Sequence, residues 1–571
     1  MKTPLPWLSP PLHIAHADHD HDPDHDHEAA HESVGSSAPP QKPTAKGPIF
    51  RHQREASAIE LFYDLFFVAN LASVTAENEI VDGAILKRYL GYFTLIWFTW
   101  LQTILFDVRF STESVFQHVH KAISYAIMIG FVICAACYNT NHVRSTIDGF
   151  RAMSLVLMVS RLVLAMQYSV TYWYVRQYDK TRAPFLFTIG CLCSTSLAYF
   201  GLFWGFDTAP DSYIAWYVLS VAEGATVIAI SCKWRVVSFK RTHLIERLGL
   251  LTLIVMGEGV LGLARSTYRL FQTLRRPTAE NFGQLICAMV LVYLIFMLYF
   301  GHAEHDKFGS IRQQIWMILH FPLHVAILLT QEGSNFLILS RVISHIISYW
   351  DSLYPLQNSV DWNDFFSEYD SVDGVLGSIS GDLHQLFHVT FRDQEALLTM
   401  YNYTRDIMAI QNIGHPFNTT EWQVEASVVI DQLWKGIEDA VYSSFGVDGL
   451  VTQDHRPPPV EAASSPQHIM EAVFLYFFFA AGGLLFVLSL MTIFAKKIPT
   501  KDMWLSVGIK VLIGFLLLVP LTANWMRTDA SEAFYLSPWT TVVVMFGYLT
   551  VVIADHLIAL FYHRRRRHNT S

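Results

Sequence analysis

Runs of about 20 apolar residues, each long enough to carry a helix across a hydrocarbon core, recur along this 571-residue chain with short polar breaks between them. The runs are 58–77, 89–106, 121–138, 150–172, 184–205, 212–232, 246–265, 282–300 and 313–343, and after a long gap 467–494, 504–526 and 538–562. Inside lipid a backbone must satisfy its own hydrogen bonds, which for runs of this length means helices. Composition agrees. Charged residues are 16%, where a soluble chain carries about a quarter. The expected fold is all-α, a polytopic transmembrane helix bundle of twelve spans in a plasma membrane or endomembrane, with lipid as its first partner. Gly333 is expected to mark a bend or an early stop in the ninth span.

Lys and Arg in short loops orient such a bundle. The C-terminal run His563 to His568 and the turn with Lys496, Lys497 and Lys501 are expected on the cytoplasmic side, and counting back puts Lys233, Arg235, Lys240 and Arg241 there too. One turn disagrees: Arg265, Arg269, Arg275 and Arg276 would face outward. The stretch 344–466 then forms a non-cytoplasmic loop. Within it, 351–466 holds eighteen acidic and four basic residues. The sequons at Asn402 and Asn418 fit that side as glycosylation sites, and helical spacing over 394–411 and 421–445 suggests a small helical cap. Residues 1–57 read as a disordered cytoplasmic tail without a signal peptide. Its seven histidines between His13 and His31 either chelate a metal or form a solvated tract. All six cysteines lie in or beside apolar runs, so the loop is no disulfide scaffold, and Cys134 with Cys137 reads as packing. No basic block points to nucleic acid, and no phosphate- or dinucleotide-binding motif points to a cofactor.

Ionisable groups inside spans are costly and face a bundle interior or a water path. Glu60 and Asp64, four residues apart, share one helix face with Tyr63 and Asn70 near it. They form either an ion or proton site or a helix-end pair bridged to Arg51 or Arg54. Glu246 and Arg247 open the seventh span and mark the interface. Glu258, between Gly257 and Gly259, lies past mid-membrane and is the strongest functional candidate, with pairing to an arginine as the competing reading. Arg161 in the fourth span needs a carboxylate, and Asp64 or Glu258 is the expected one. His320 and His324 flank Pro322 on one face and read as a metal or proton relay or as hydrogen-bonded core. The group His302, Glu304, His305 and Asp306 is a weaker metal candidate. Glu223, Asn524, Asp555 and His556 are further buried polar positions.

The segments ELFYDLFFVANL (Glu60 to Leu71) and ERLGLLTLIVMGEGVL (Glu246 to Leu261), with Trp316, His320, Pro322 and Leu323, together resemble the low temperature requirement A family of bacterial and fungal membrane proteins. The likeness spans roughly 58–343. It implies a multi-pass membrane protein and points to Glu60, Asp64, Glu246, Arg247, Gly257, Glu258, His320 and Pro322, but to no settled substrate. The long N-terminal tail and the insertion of over a hundred residues before the last three spans depart from the compact bacterial pattern, and the likeness does not extend to those spans.

Three functions fit these residues. The leading one is a secondary transporter or ion-coupled permease for an unidentified small molecule or ion, with Glu60, Asp64, Arg161, Glu258, His320 and His324 binding or relaying the ion. An intramembrane enzyme acting on lipid or isoprenoid substrates is the first alternative. A receptor or sensor with the acidic loop as ligand cap is the second.

Overall fold

In the computed structural model the described residues are 6–11, 57–77, 83–137, 143–206, 210–239, 242–301, 310–353, 366–390, 410–411, 413–417, 419–445, 466–495, 500–525, 534 and 537–570. They are helical almost throughout. The long helices are α1 (Ala58–Glu77), α2 (Gly83–Phe110), α3 (Val115–Cys137), α4 (Val143–Val175), α5 (Asp179–Gly205), α6 (Ile214–Lys233), α7 (Leu244–Thr273), α8 (Ala279–Phe300), α9 (Ser310–Ile318) and α10 (His320–Leu353). In the loop lie α11 (Val372–Thr390) and α12 (Thr420–Ser444), and after it α13 (Pro466–Ala495), α14 (Lys501–Trp525) and α15 (Trp539–Thr570). With α9 and α10 counted together, twelve spans among the described residues are long and apolar enough to cross a membrane. The protein is an integral, multi-pass membrane protein.

The ninth span differs from expectation. It breaks at Leu319 and not at Gly333. Pro322 has no N–H to return to the Ile318 carbonyl, and its ring crowds that carbonyl. The first helix therefore stops at Ile318, and Pro322 falls in the first turn of α10, where its missing donor costs nothing. Gly333 sits inside an unbroken α10, where a side chain would press on Phe477 and Tyr476.

Two compact units divide the chain. One is Met1–Phe67 with Thr94–Arg247, the other Val68–Phe93 with Leu248–Ser571, so that α1, α2 and α7 supply residues to both. In the first unit α3 packs on α4, α4 on α5 and α5 on α6. Its core includes Phe106, Phe110, Leu164, Tyr168, Phe185 and Leu192. In the second unit α10 packs on α13, α13 on α14, α14 on α15 and α15 on α8. The last three spans are thus built into the same core as α8 and α10. Within the loop, Trp422 of α12 packs edge-on against Phe366 and Phe417, and α12 rests on α10.

Outward faces are apolar. Phe187, Leu197 and Val218 in the first unit and Phe515, Val519 and Leu557 in the second are more than half exposed, as lipid contact requires. Trp173, Trp204, Trp504 and Trp539 are exposed near helix ends, at the depth where amphipathic rings settle.

Candidate functional site

The buried ionisable side chains form ionic networks. In the first unit Glu60 and Asp64, one turn apart on α1, both reach Arg247 in the first turn of α7. Arg247 Nη2 donates to Asp64 Oδ1 at 2.9 Å and to the Glu60 carbonyl at 3.1 Å, and Nη1 lies 3.9 Å from Glu60 Oε2. Trp100 Nε1 donates to the same Asp64 oxygen at 2.8 Å. His243 Nε2 contacts Glu60 Oε2 at 3.2 Å. All of these side chains are buried. Beside them Lys121 of α3 pairs with Asp107 of α2, and its ammonium lies 5.4 Å from the centroid of the Tyr63 ring. Glu60 Oε1, Asp64 Oδ2 and Asp107 Oδ1 have no hydrogen-bond partner. A cavity of about 10 Å³, lined by Tyr63, Thr99, Thr103, Ser124, Ser160 and Gln167 among others, has room for one water by the usual measure of about 10–15 Å³.

Arg161 does not pair with Asp64 or Glu258. Its Nε donates to Glu223 Oε2 of α6 at 2.8 Å, and Nη1 donates to Ser160 Oγ and Thr99 Oγ1. The physical reason is that each expected partner is already held: Asp64 by Arg247, and Glu258 by an arginine of its own helix. Both Arg161 and Glu223 are buried, so each supplies the charge that the other needs in a medium without water.

In the second unit Glu258 Oε1 accepts from Thr75 Oγ1 of α1 and from Arg265 Nη2, each at 2.6 Å. Arg265 lies two turns further along α7 and is about a third exposed at its side chain, while Glu258 is wholly buried and its Oε2 has no hydrogen-bond partner. A Cβ at Gly259 would collide with the Gln331 carboxamide and one at Gly262 with Asn335, whereas Gly257 faces open space. The two glycines let α10 bring its amides to the α7 backbone: Asn335 Nδ2 donates to the Gly259 carbonyl at 3.3 Å and Gln331 Nε2 to that of Met256 at 3.4 Å. A cavity of about 40 Å³ lies against Thr75, Arg265, Ser266, Arg269, Glu332 and Asn335.

His320 and His324 are wholly buried. His320 Nδ1 donates to the Trp316 carbonyl and its Nε2 accepts from the Tyr299 hydroxyl, each at 2.9 Å. Both ring nitrogens are therefore committed. His324 Nε2 meets Thr252 Oγ1 at 2.9 Å, and the Thr252 hydroxyl already donates to the Leu248 carbonyl, so the imidazole is the donor. Among the described residues no three His, Cys, Asp or Glu side chains are placed to hold a metal ion. In the last spans Lys510 Nζ donates to Asp555 Oδ2 and to Ser506 Oγ, each at 2.6 Å.

The family model for the bacterial low temperature requirement A protein matches residues 55–354, more than half of the chain. The chain belongs to the low temperature requirement A family. No curated protein and no solved structure matches it. Every network above except Lys510–Asp555 falls inside the family-matched segment, and the family signature takes on geometry. Of its Glu-Arg pair, Glu246 is exposed and Arg247 is buried between the two signature carboxylates of α1.

His243, Asp107, Lys121, Thr75, Lys510 and Ser506 were not singled out from the sequence. Asp107 and Lys121 fell one residue outside or at the very edge of the expected spans, because hydropathy cuts a span at its first charge, while α2 and α3 run on to Phe110 and back to Val115. The tail histidines, Arg51, Arg54, His302, Glu304, His305, Asp306, Asn402, Asn418 and the side chain of Asn524 lie outside the described residues.

Proposed function

We propose that this protein is an ion-coupled secondary transporter and that Glu258 is its coupling group. The observation that carries this reading is a half-satisfied carboxylate beside a polar cavity. Glu258 is buried, two donors share one of its oxygens and the other oxygen is unpartnered. An unpaired buried oxygen is expensive, and a fold keeps one where something is to bind. Arg265 and Thr75 touch the carboxylate and also line the cavity, so a species entering there meets the pair within one side chain. At about 40 Å³ the space takes about three waters, which suits a proton, hydronium or small ion better than a bulky solute. Intramembrane carboxylates paired to a cation serve as ion and proton relays elsewhere, and a carboxylate whose partner can swing toward solvent can exchange one cation for another.

Charge movement in proteoliposomes tests this, comparing wild type with Glu258→Gln across cations, amino acids and small metabolites at two pH values, with tracer uptake alongside for electroneutral exchange. The expected result is a substrate-dependent signal in wild type that Glu258→Gln removes. A signal that survives unchanged in a folded Glu258→Gln protein overturns the assignment of Glu258. Silence by both methods overturns transport.

A further inference from the structure

Two small cavities follow one another along α3 and α4 in the first unit. The outer one, about 10 Å³, is lined by Ser114 and Gln117 at the start of α3, by Thr171 and Tyr174 near the end of α4, and by Ser9 and Pro11 of the N-terminal segment. That segment is held in place by its backbone: the N–H groups of Val115 and Phe116 donate to the carbonyls of Pro6 and Trp7 at 3.0 and 3.1 Å. The inner one, also about 10 Å³, is the cavity at Tyr63, Thr99, Thr103, Ser124, Ser160 and Gln167. One amide pair stands between the two, Gln167 Nε2 donating to Gln117 Oε1 at 3.4 Å. From Gln117 to Ser124, and from Gln167 to Ser160, is two helix turns or about 10 Å. Three observations point to water as the occupant. Contacts between helices at the inner cavity are long, 3.5 Å for Tyr63 to Thr103 and 3.3 Å for Arg161 to Thr99, and such gaps leave room for a bridging water. Among the described residues that line the two cavities none is charged. Hydroxyls and carboxamides both donate and accept, and each space admits about one water. Finally, Gln102, beside Thr103 on α2, is buried and neither of its amide atoms has a hydrogen-bond partner. It is directed at α6, where a Cβ on Gly224 would lie 3.9 Å from its Nε2. A buried carboxamide without partners is costly.

We infer that the first unit contains a water inlet, which opens beside residues 6–11, narrows at the Gln117–Gln167 pair, fills the Tyr63 cavity and ends at Gln102 and the Arg161–Glu223 ion pair. The ion pair is within reach because Ser160 and Thr99, the two hydroxyls to which Arg161 donates, line the inner cavity. Water beside a buried ion pair returns part of the solvation that burial removes. The same water gives Gln102 the partners that the protein does not. The guanidinium at the inner end repels cations, as a fixed arginine does in a water-selective pore, so the inlet takes water and not cations.

The inlet needs no substrate and stands apart from the transport reading. To test it, the full-length protein in nanodiscs is mixed with heavy-oxygen water and pulsed with X-rays, which make hydroxyl radicals from bulk and bound water alike. Oxygen added to each tyrosine is then read by mass spectrometry. Tyr63 and Tyr199 are both wholly buried, but Tyr63 lines the inner cavity while the Tyr199 hydroxyl is closed on Ser220 Oγ at 2.8 Å. Tyr63 should be oxidised at several times the rate of Tyr199, its added oxygen should turn heavy with time after mixing, and Gln117→Ala should speed that exchange. Ser124→Val, which fills the inner cavity, should bring Tyr63 down to the level of Tyr199 and leave Tyr174, at the outer cavity, unchanged. Protection of Tyr63 equal to that of Tyr199 in the wild type overturns the inlet, and so does a Tyr63 label that stays light, the mark of a sealed water. Equal exchange rates in wild type and folded Gln117→Ala overturn the assignment of the narrow point to the glutamine pair.

Discussion

Arg161 shows what a single residue reveals in advance and what it does not. A guanidinium in the middle of an apolar run must have a partner, and it has one, but sequence distance gives no clue that the partner is Glu223, 62 residues on. Depth narrows the field without deciding it. At about 1.5 Å per residue, Glu258 lies as far from the start of α7 as Arg161 does from the end of α4, yet it is spoken for by Arg265 on its own helix. That i, i+7 relation was readable and was outweighed by counting Arg265 as a loop charge. Removing one member of a buried pair leaves an uncompensated charge and costs about 3–5 kcal/mol, whereas replacing both by apolar residues is close to neutral. Arg161→Leu is therefore expected to lower the melting temperature in detergent sharply, and Arg161→Leu with Glu223→Leu to regain most of it. Additive losses in that cycle would mean that the pair is not coupled. The same logic at the signature predicts that Arg247→Gln is worse than Glu246→Gln, measured as folded yield, since Glu246 is exposed and Arg247 holds two elements together.

At the level of elements, the apolar period gave away nearly every span, because lipid leaves a helix little freedom in length or polarity. Its edges were less legible, since a charge that ends an apolar run need not end a helix. Glycine is the other case where type was readable and role was not. The pair around Glu258 suggested close approach of helices, but the structure assigns the two different work: Gly259 receives Gln331 while Gly257 meets nothing within 4 Å. Gly259→Ala should push Gln331 off the Met256 carbonyl and cost about 1–3 kcal/mol, as overpacking does. Gly257→Ala should be neutral or slightly stabilising through helix propensity alone, about 1 kcal/mol at most. Thermal unfolding of the two variants side by side checks this. The last spans offer a matching pair: a Cβ at Gly482 would come within 2.9 Å of the Gly514 carbonyl while Gly483 is open, so Gly482→Ala should weaken α13 on α14 and Gly483→Ala should not. Equal effects within either pair would show that these contacts do not set helix spacing.

For the whole molecule the prediction concerns topology, and the length of α7 bears on it. Four arginines after the seventh span seemed to face the wrong side. Two of them are not loop residues, because α7 continues to Thr273: Arg265 is bound to Glu258 and Arg269 lines the cavity. The positive-inside bias counts charges in short loops and at span ends, and an arginine whose charge is matched by a carboxylate of its own helix, as Arg265 is by Glu258, weighs less in that count. What remains in that turn is Arg275 and Arg276, against Lys496, Lys497, Lys501 and the four arginines of Arg564 to Arg567 on the other side. With an even number of spans, the expectation is that residues 1–57 and the basic end of the chain lie on the cytoplasmic side and the acidic stretch 344–466 on the opposite one. The prediction is concrete. In a eukaryotic host, endoglycosidase treatment should shift the mobility of the wild-type chain. Asn402→Gln and Asn418→Gln should each remove part of the shift, and the double variant all of it. Single cysteines placed near residue 455 and near residue 568 should label from opposite faces of sealed vesicles. Labelling of both from one face would mean that one of α13, α14 and α15, the three helices between the two sites, does not cross, and the count of crossings changes by one.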